Sequence, residues 1–144
     1  MRIRISSVVG SDSGNFMQHL RAHLDAHGFS DVRVEQSGPL MEATRLDPDN
    51  PWVQWALASM ERSTGKAPAL LPNLGGTLPN DVFSMVLGQP TLWVPHSYPA
   101  CAQHAPNEHL LASVAREALA LMAGLFWDLG EQGAQIALAC RAGR

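Results

Sequence analysis

The sequence predicts an α/β fold, because short β-branched segments alternate with amphipathic helical segments along the chain. Residues 2–9 alternate charged and β-branched side chains, the period of a strand with one solvent-facing side. Residues 16–28 instead carry apolar side chains at every fourth position and end in glycine, as a helix does. Residues 31–36 alternate again. The first 36 residues therefore predict a β-α-β unit.

A polar segment that contains two prolines, within residues 37–50, predicts the boundary between two domains. We assign residues 1–40 to the first domain and residues 41–144 to the second. In the second domain Asn50 and Pro51 have the character of a helix N-cap and first turn, and Gly65 closes that helix. The further elements predicted there are a strand at 69–72, a helix at 79–87, a strand at 90–95 and a long, largely buried helix capped by Asn107 and running to Phe126.

Composition excludes several functional classes. The chain has 144 residues, a formal net charge of −3 and 16% charged residues, so it has no basic surface that would bind nucleic acid. Its beginning lacks the apolar core of a signal peptide, and no run approaches the roughly 18 apolar residues of a membrane span. Two cysteines are too few for a disulfide framework. We expect a cytoplasmic protein without nucleic-acid or membrane partners.

The segment HSYPACAQHAPNEHL, residues 96–110, concentrates three histidines, a cysteine and a carboxylate between a predicted strand and a predicted helix. In open α/β sheets this is where ligands bind. His104 lies in a loop restrained by Pro99 and Pro106, and a neutral imidazole there would suit zinc. From spacing alone, His104 is either a zinc ligand or a structural histidine. His109 is expected at the surface.

Two other patterns have both structural and functional interpretations. His19, His23 and His27 are spaced by four residues on one predicted helix face, but we favour a position in solvent or at the edge of the core over a metal site. The glycine turn LPNLGGTLPND, residues 71–81, could bind a carboxylate through its backbone, or could simply form a tight turn.

Three segments of the chain together resemble the C-terminal half of the dinuclear zinc metallopeptidases. They are GGTLPND, LGQPTLWVPHSYPACAQHAPNEHLL and REALALMAGLFWDLG. This family includes aminoacylases, carnosine-type dipeptidases and succinyl-diaminopimelate desuccinylases. The resemblance runs from about residue 2 to residue 130. It implies that the β-α-β unit is the last part of a lid domain, which often mediates dimerisation, and that the remainder is the C-terminal half of the catalytic α/β domain.

The resemblance also implies roles for individual residues. His104 corresponds to the last zinc-binding histidine of the family. Gly75, Gly76 and Thr77 correspond to the turn that binds the terminal carboxylate of the substrate, and Arg4 corresponds to the arginine that pairs with the same carboxylate. A planar guanidinium suits that role because it can donate two parallel hydrogen bonds.

The chain departs from the family in what it lacks. The family requires an H-x-D pair, a bridging aspartate, a Glu-Glu pair that supplies the general base, and a further acidic ligand. No Glu-Glu occurs in this sequence, and its H-x-D, residues 23–25, falls on a predicted helix, where residues two apart point to different sides. The family binds two zinc ions, but we expect none on this chain alone, and no hydrolase activity from it.

Two hypotheses follow for function and partners. The chain is either the C-terminal fragment of a hydrolase that acts on peptide or N-acyl amide bonds, with the missing N-terminal half as its partner, or a non-catalytic module that forms homo-oligomers. Unpaired strand edges and apolar faces would favour self-association in either case.

Overall fold

The computed structural model describes residues 5–76 and 78–142 and contains helices but no β-strand within those ranges. The predicted α/β fold, including its β-α-β unit and its half of a catalytic α/β domain, is therefore wrong. Residues 31–36, 69–72 and 90–95, all predicted as strands, have irregular backbone, and so does the described part of residues 2–9. The alternation of polar and apolar side chains would give a strand one polar and one apolar face. A strand forms, however, only when its backbone hydrogen-bonds to a neighbouring strand.

The chain divides into two compact units, each made of two stretches of sequence. The first unit comprises the described residues of Met1–Arg45 and Asn73–Thr91, and the second comprises Leu46–Pro72 and those of Leu92–Arg144. The predicted division into domains 1–40 and 41–144 stays a prediction. No helix in the described part of the chain is both long enough and apolar enough to cross a membrane.

The first unit contains α1, Phe16–Ala26, which confirms the helix predicted there. Arg21 holds the following segment onto this helix. Its guanidinium donates to the Asp25 carboxylate at 2.8 Å and to the backbone carbonyls of Phe29 and Val32 at 2.9 and 2.6 Å. The chain beyond the helix therefore turns back along α1, where the sequence had predicted a strand.

A small polar network joins the separate stretches of the first unit. The Ser13 hydroxyl donates to Glu42 at 2.6 Å, and the Glu42 backbone N–H donates to Asp81 at 3.0 Å. The Asn80 side-chain amide donates to the Thr44 hydroxyl at 2.5 Å. The helix predicted at residues 79–87 is present as a short helical segment over residues 80–86, which is of π type at Val82–Val86.

In the second unit, α2 covers Pro51–Thr64 and begins and ends at the signals found in the sequence. The Asn50 side chain accepts a hydrogen bond from the Trp52 N–H at 3.0 Å, and Pro51 occupies the first turn. Gly65 follows in the left-handed conformation, with φ 69°. A residue with a side chain is strained there, so glycine ends the helix at low cost.

The long helix α3 covers Ala112–Ala142 and packs antiparallel against α2. Ser63 lies beside Gly124, whereas Asn50, at the other end of α2, lies beside Cys140. The core of this pair is small. Its buried residues on the two helices are Val53, Ala56, Ser59 and Leu125.

Two features of α3 correct the sequence analysis. The helix was predicted to be capped by Asn107, but Asn107 is left-handed at φ 65° and lies outside α3. The helix was also predicted to be largely buried, yet Leu119 and Phe126 are exposed. Apolar side chains cover most of its circumference, but α2 covers only one side.

Candidate functional site

The histidine-rich segment forms a loop in the second unit that opens with a short 3-10 turn, Pro99–Cys101. Cys101, the last residue of this turn, is buried, and its backbone carbonyl accepts a hydrogen bond from the His109 N–H at 3.0 Å. This bond joins the two sides of the loop and brings its ends together. Proline fixes φ at the first position of the turn, which explains locally why the turn forms there.

Three residues that are not glycine adopt the left-handed conformation in this loop. They are Ala102, His104 and Asn107, with φ of 55°, 64° and 65°. Asparagine and histidine adopt this conformation more often than other residues with side chains, whereas alanine adopts it at a cost of roughly 1–2 kcal/mol. Such strained residues cluster at functional sites, where the surrounding structure maintains them. The strain makes this loop the leading candidate site.

The three histidines of the loop region differ in their contacts. His109 has its ring edge-on to Tyr98, with centroids 6.0 Å apart, and its Nδ1 lies 2.9 Å from the Asn107 carbonyl. His104 is exposed, and its backbone N–H donates to the Glu108 carboxylate at 3.3 Å. Among the hydrogen bonds of the described residues, none involves the His104 imidazole. His96 is half-buried.

The described residues do not supply a zinc site. No group of three or more His, Cys, Asp or Glu side chains within 5–76 and 78–142 is arranged to hold a metal ion. A zinc ion requires three or four protein ligands, so His104 does not fit a zinc ion without further ligands.

The residues predicted to bind a carboxylate are described only in part. Gly75 and Gly76 are exposed, in irregular backbone of the first unit, and a Cβ added to Gly75 would meet no atom within 4 Å. Arg4 and Thr77 lie outside the described residues. His104 belongs to the second unit, so the predicted carboxylate turn and the predicted zinc ligand occupy different units of the chain.

The other histidine cluster lies on α1. The rings of His23 and His27 have centroids 4.1 Å apart, and His27 Nδ1 lies 2.8 Å from the His23 carbonyl. Both side chains and that of His19 are exposed. This placement agrees with the solvent-facing interpretation of the three histidines.

A charged contact between α2 and α3 had no signal in the sequence. Arg62 donates to the Asp128 carboxylate at 2.6 Å, across 66 positions of sequence. The Ser59 hydroxyl facing this carboxylate is the main influence that lowers the pKa of Asp128, and Arg62 lowers it further. Ser59 Oγ makes no hydrogen bond of ordinary geometry among the described residues. We therefore identify Arg62 as the residue that forms the direct hydrogen bond to the Asp128 carboxylate.

No protein-family model, curated protein or solved structure matches the chain.

Proposed function

We propose that this chain is the C-terminal part of a cytoplasmic, zinc-dependent metallopeptidase or amidohydrolase acting on peptide or N-acyl amide bonds, and that it is inactive without the missing N-terminal half. The observation that carries the proposal is the loop at residues 98–109. This loop contains three left-handed residues, His104 among them, and leaves the His104 imidazole exposed.

The backbone around His104 is restrained, although its side chain is not. The Glu108 carboxylate accepts from the His104 N–H, and the Ala105 N–H donates to the Ala102 carbonyl at 2.9 Å. An imidazole on such a loop can contribute one ligand to a metal whose other ligands come from a second polypeptide. In this proposal His104 is that ligand, and the missing half supplies the other ligands and the general base.

The glycine turn would contribute substrate binding. Gly75 and Gly76 are exposed, and a Cβ added to Gly75 would meet no atom within 4 Å. Backbone N–H groups at such a turn can donate to a carboxylate. We propose that Arg4 and Thr77 complete this carboxylate site, as the resemblance implies.

The first unit also exposes the apolar surface that a missing half would cover. Between residues 74 and 87 the exposed apolar side chains outnumber the polar ones, which is unusual for a surface that remains in water. The exposed side chains are Leu74, Leu78, Val82, Phe83, Met85, Val86 and Leu87.

Complementation in trans tests the proposal. The chain is mixed with the N-terminal half of one of the zinc peptidases that it resembles, and bound zinc and hydrolysis of N-acyl amino acids and dipeptides are measured. We expect hydrolysis only from the mixture and its loss with His104→Ala. His19→Ala, an exposed histidine on α1, is the matched control and should leave restored hydrolysis unchanged. Restored activity that is insensitive to His104→Ala would refute the role of His104.

The alternative function is that of a non-catalytic module that associates with copies of itself. The observation that favours it is the exposed apolar side of α3, where Phe126 and Trp127 lie in solvent. A stable, zinc-free oligomer that is indifferent to the added half would support the alternative and would contradict the proposal of a divided enzyme.

A further inference from the structure

The side of α3 that faces away from α2 carries a continuous apolar stripe. At 100° per residue, its members fall within a sector of about 100°. The α2 contacts at Gly124, Leu125, Asp128 and Cys140 lie on the other side of the helix. The stripe consists of Leu119, Ala123, Trp127, Gly130, Ala134 and Leu138.

The order of residues in this stripe is palindromic. The members are separated by 4, 4, 3, 4 and 4 positions, and large and small side chains mirror each other about a point between residues 128 and 129. A two-fold axis at that point would pair every member with its mirror residue in a second, antiparallel helix. The pairs would be Leu119 with Leu138, Ala123 with Ala134, and Trp127 with Gly130.

We propose that the outer face of α3 is a dimer interface that binds the same face of a second copy of this chain, antiparallel and in the register set by the palindrome. Two-fold interfaces must be self-complementary, because each residue meets its mirror position. The stripe meets that condition by placing its largest side chain, Trp127, against glycine. The two alanine pairs allow the helix backbones to approach closely.

The exposed area is sufficient for such a dimer. Three stripe residues, Leu119, Trp127 and Leu138, are 73%, 73% and 65% exposed, and Phe126, which borders the stripe about 20° outside it, is 68% exposed. A buried aromatic side chain covers roughly 150–250 Å². These four therefore offer on the order of 500 Å² per copy and about 1,000 Å² for the pair, which reaches the lower bound of specific interfaces.

The charges on this face predict a salt dependence. The central part of the stripe carries no charge, but the same mirror relation places Arg116 opposite Arg141 of the second copy at each end. Both arginines are exposed. Like charges at the rim repel and are screened by salt. The dimer dissociation constant should therefore decrease between about 50 mM and about 500 mM NaCl.

Sedimentation equilibrium on the full chain tests whether the dimer exists. We expect a mass of twice the 15.5 kDa of one chain at about 100 μM protein. Trp127→Asp should raise the dissociation constant by about thirtyfold or more, since central tryptophans are the costliest residues to remove from interfaces. Gln135→Asp, which adds the same charge outside the stripe of the same helix, should change it less than threefold. Helix content measured by circular dichroism verifies that both variants fold.

Disulfide crosslinking tests the register, with Cys140 replaced by serine and Cys101 left buried. The antiparallel register places residue 123 of one copy beside residue 134 of the other and separates the two residues 123 by about 16 Å. A disulfide requires Cα atoms within about 7 Å. Ala123→Cys alone should therefore give no crosslink, whereas a mixture of Ala123→Cys and Ala134→Cys chains should give a covalent heterodimer.

Two results would overturn this inference. One is a monomeric wild-type chain at about 100 μM. The other is a dimer in which Ala123→Cys crosslinks to itself, which would indicate either parallel helices or an antiparallel register other than the one proposed. Neither result bears on the proposed hydrolase lineage, which is judged by zinc and hydrolysis in the complemented mixture. Likewise, failure of complementation would leave the crosslinking result intact.

Discussion

Gly124 of α3 lies directly against Ser63 of α2. A Cβ at Gly124 would overlap Ser63 Oγ and approach Ser63 Cβ to 3.1 Å. Ser63 cannot simply turn away without cost, because its hydroxyl donates to the Ser59 carbonyl at 3.0 Å. Glycine at this position therefore sets how closely the two helices pack.

Gly124→Val should destabilise the helix pair by about 1–3 kcal/mol, because the added atoms have no room beside Ser63. Urea denaturation measures the free energy of unfolding. In a Ser63→Gly background the cost of Gly124→Val should be at least about 1 kcal/mol smaller, since the overlapping atoms are gone. Equal costs in both backgrounds would show that the two residues are not in contact.

The Arg62–Asp128 contact should make stability depend on acid. Ser59 and Arg62 lower the pKa of Asp128 below the value of 3.8 that applies in the unfolded chain. The unfolded state therefore takes up this proton first as the pH falls. The stabilisation is fully present above pH 3.8 and is lost as the pH decreases through the folded-state pKa.

The urea midpoint measured from about pH 6 to about pH 2.5 tests this dependence. Asp128→Asn should flatten the acid limb of the curve. Glu117→Gln, which removes an exposed carboxylate from the same helix, is the control. In this variant the urea midpoint should still decrease in acid as it does in the wild type. An unchanged acid limb in Asp128→Asn would argue against this contact in solution.

Asn50→Ala should destabilise α2 by about 1 kcal/mol, because the Trp52 N–H loses its acceptor at the start of the helix. Thermal unfolding followed by far-ultraviolet circular dichroism, which reports the helices of both units, measures the loss. Asn15→Ala provides the comparison, since Asn15 precedes α1 but makes no side-chain capping hydrogen bond. It should cost less than half as much, and equal costs would mean that the cap of α2 contributes nothing specific.

Arg21→Lys should loosen the segment that follows α1. Lysine keeps the charge but cannot reproduce the fork that contacts Asp25, Phe29 and Val32 together. Hydrogen exchange at the Phe29 and Val32 amides should become roughly five- to tenfold faster.

Arg33→Lys is the matched control for this change. The Arg33 side chain is largely exposed, and in the described part of the chain its only ion pair is with Glu35, at 3.2 Å. Exchange at the same two amides should change less than about twofold, as expected for a surface ion pair. Similar acceleration of hydrogen exchange in both variants would indicate a general loss of helix stability and not the loss of the Arg21 hydrogen bonds.

Local signals predicted the helices well where they were strong. Asn50, Pro51 and Gly65 defined α2, because an N-cap, a first-turn proline and a left-handed glycine act within one turn of the residues they terminate. The predicted strands failed because a strand depends on a distant partner, which alternation within one segment does not specify. Asparagine is a residue type that often caps helices, but Asn107 adopts the left-handed conformation within the loop and does not cap α3.

The candidate site was predictable in location but not in conformation. Pro99 and Pro106 placed a loop around His104, and the structure contains that loop. Its left-handed residues were not foreseen, because only a few per cent of residues other than glycine adopt that conformation. The sequence also did not predict the pairing of Arg62 with Asp128, because this pairing requires α2 and α3 to pack against each other. Residues 131–142, to which the sequence analysis assigned no element, form the end of α3.

The unequal lengths of α2 and α3 have a consequence for protease sensitivity. At 1.5 Å per residue, the 14-residue α2 spans about 21 Å and the 31-residue α3 about 46 Å. With Ser63 beside Gly124, the turns of α3 before that glycine extend beyond the end of α2. Trypsin should therefore cut after Arg116 sooner than after Arg62, which Asp128 holds within the helix pair. The cleavage order would reveal whether the start of α3 opens before the end of α2.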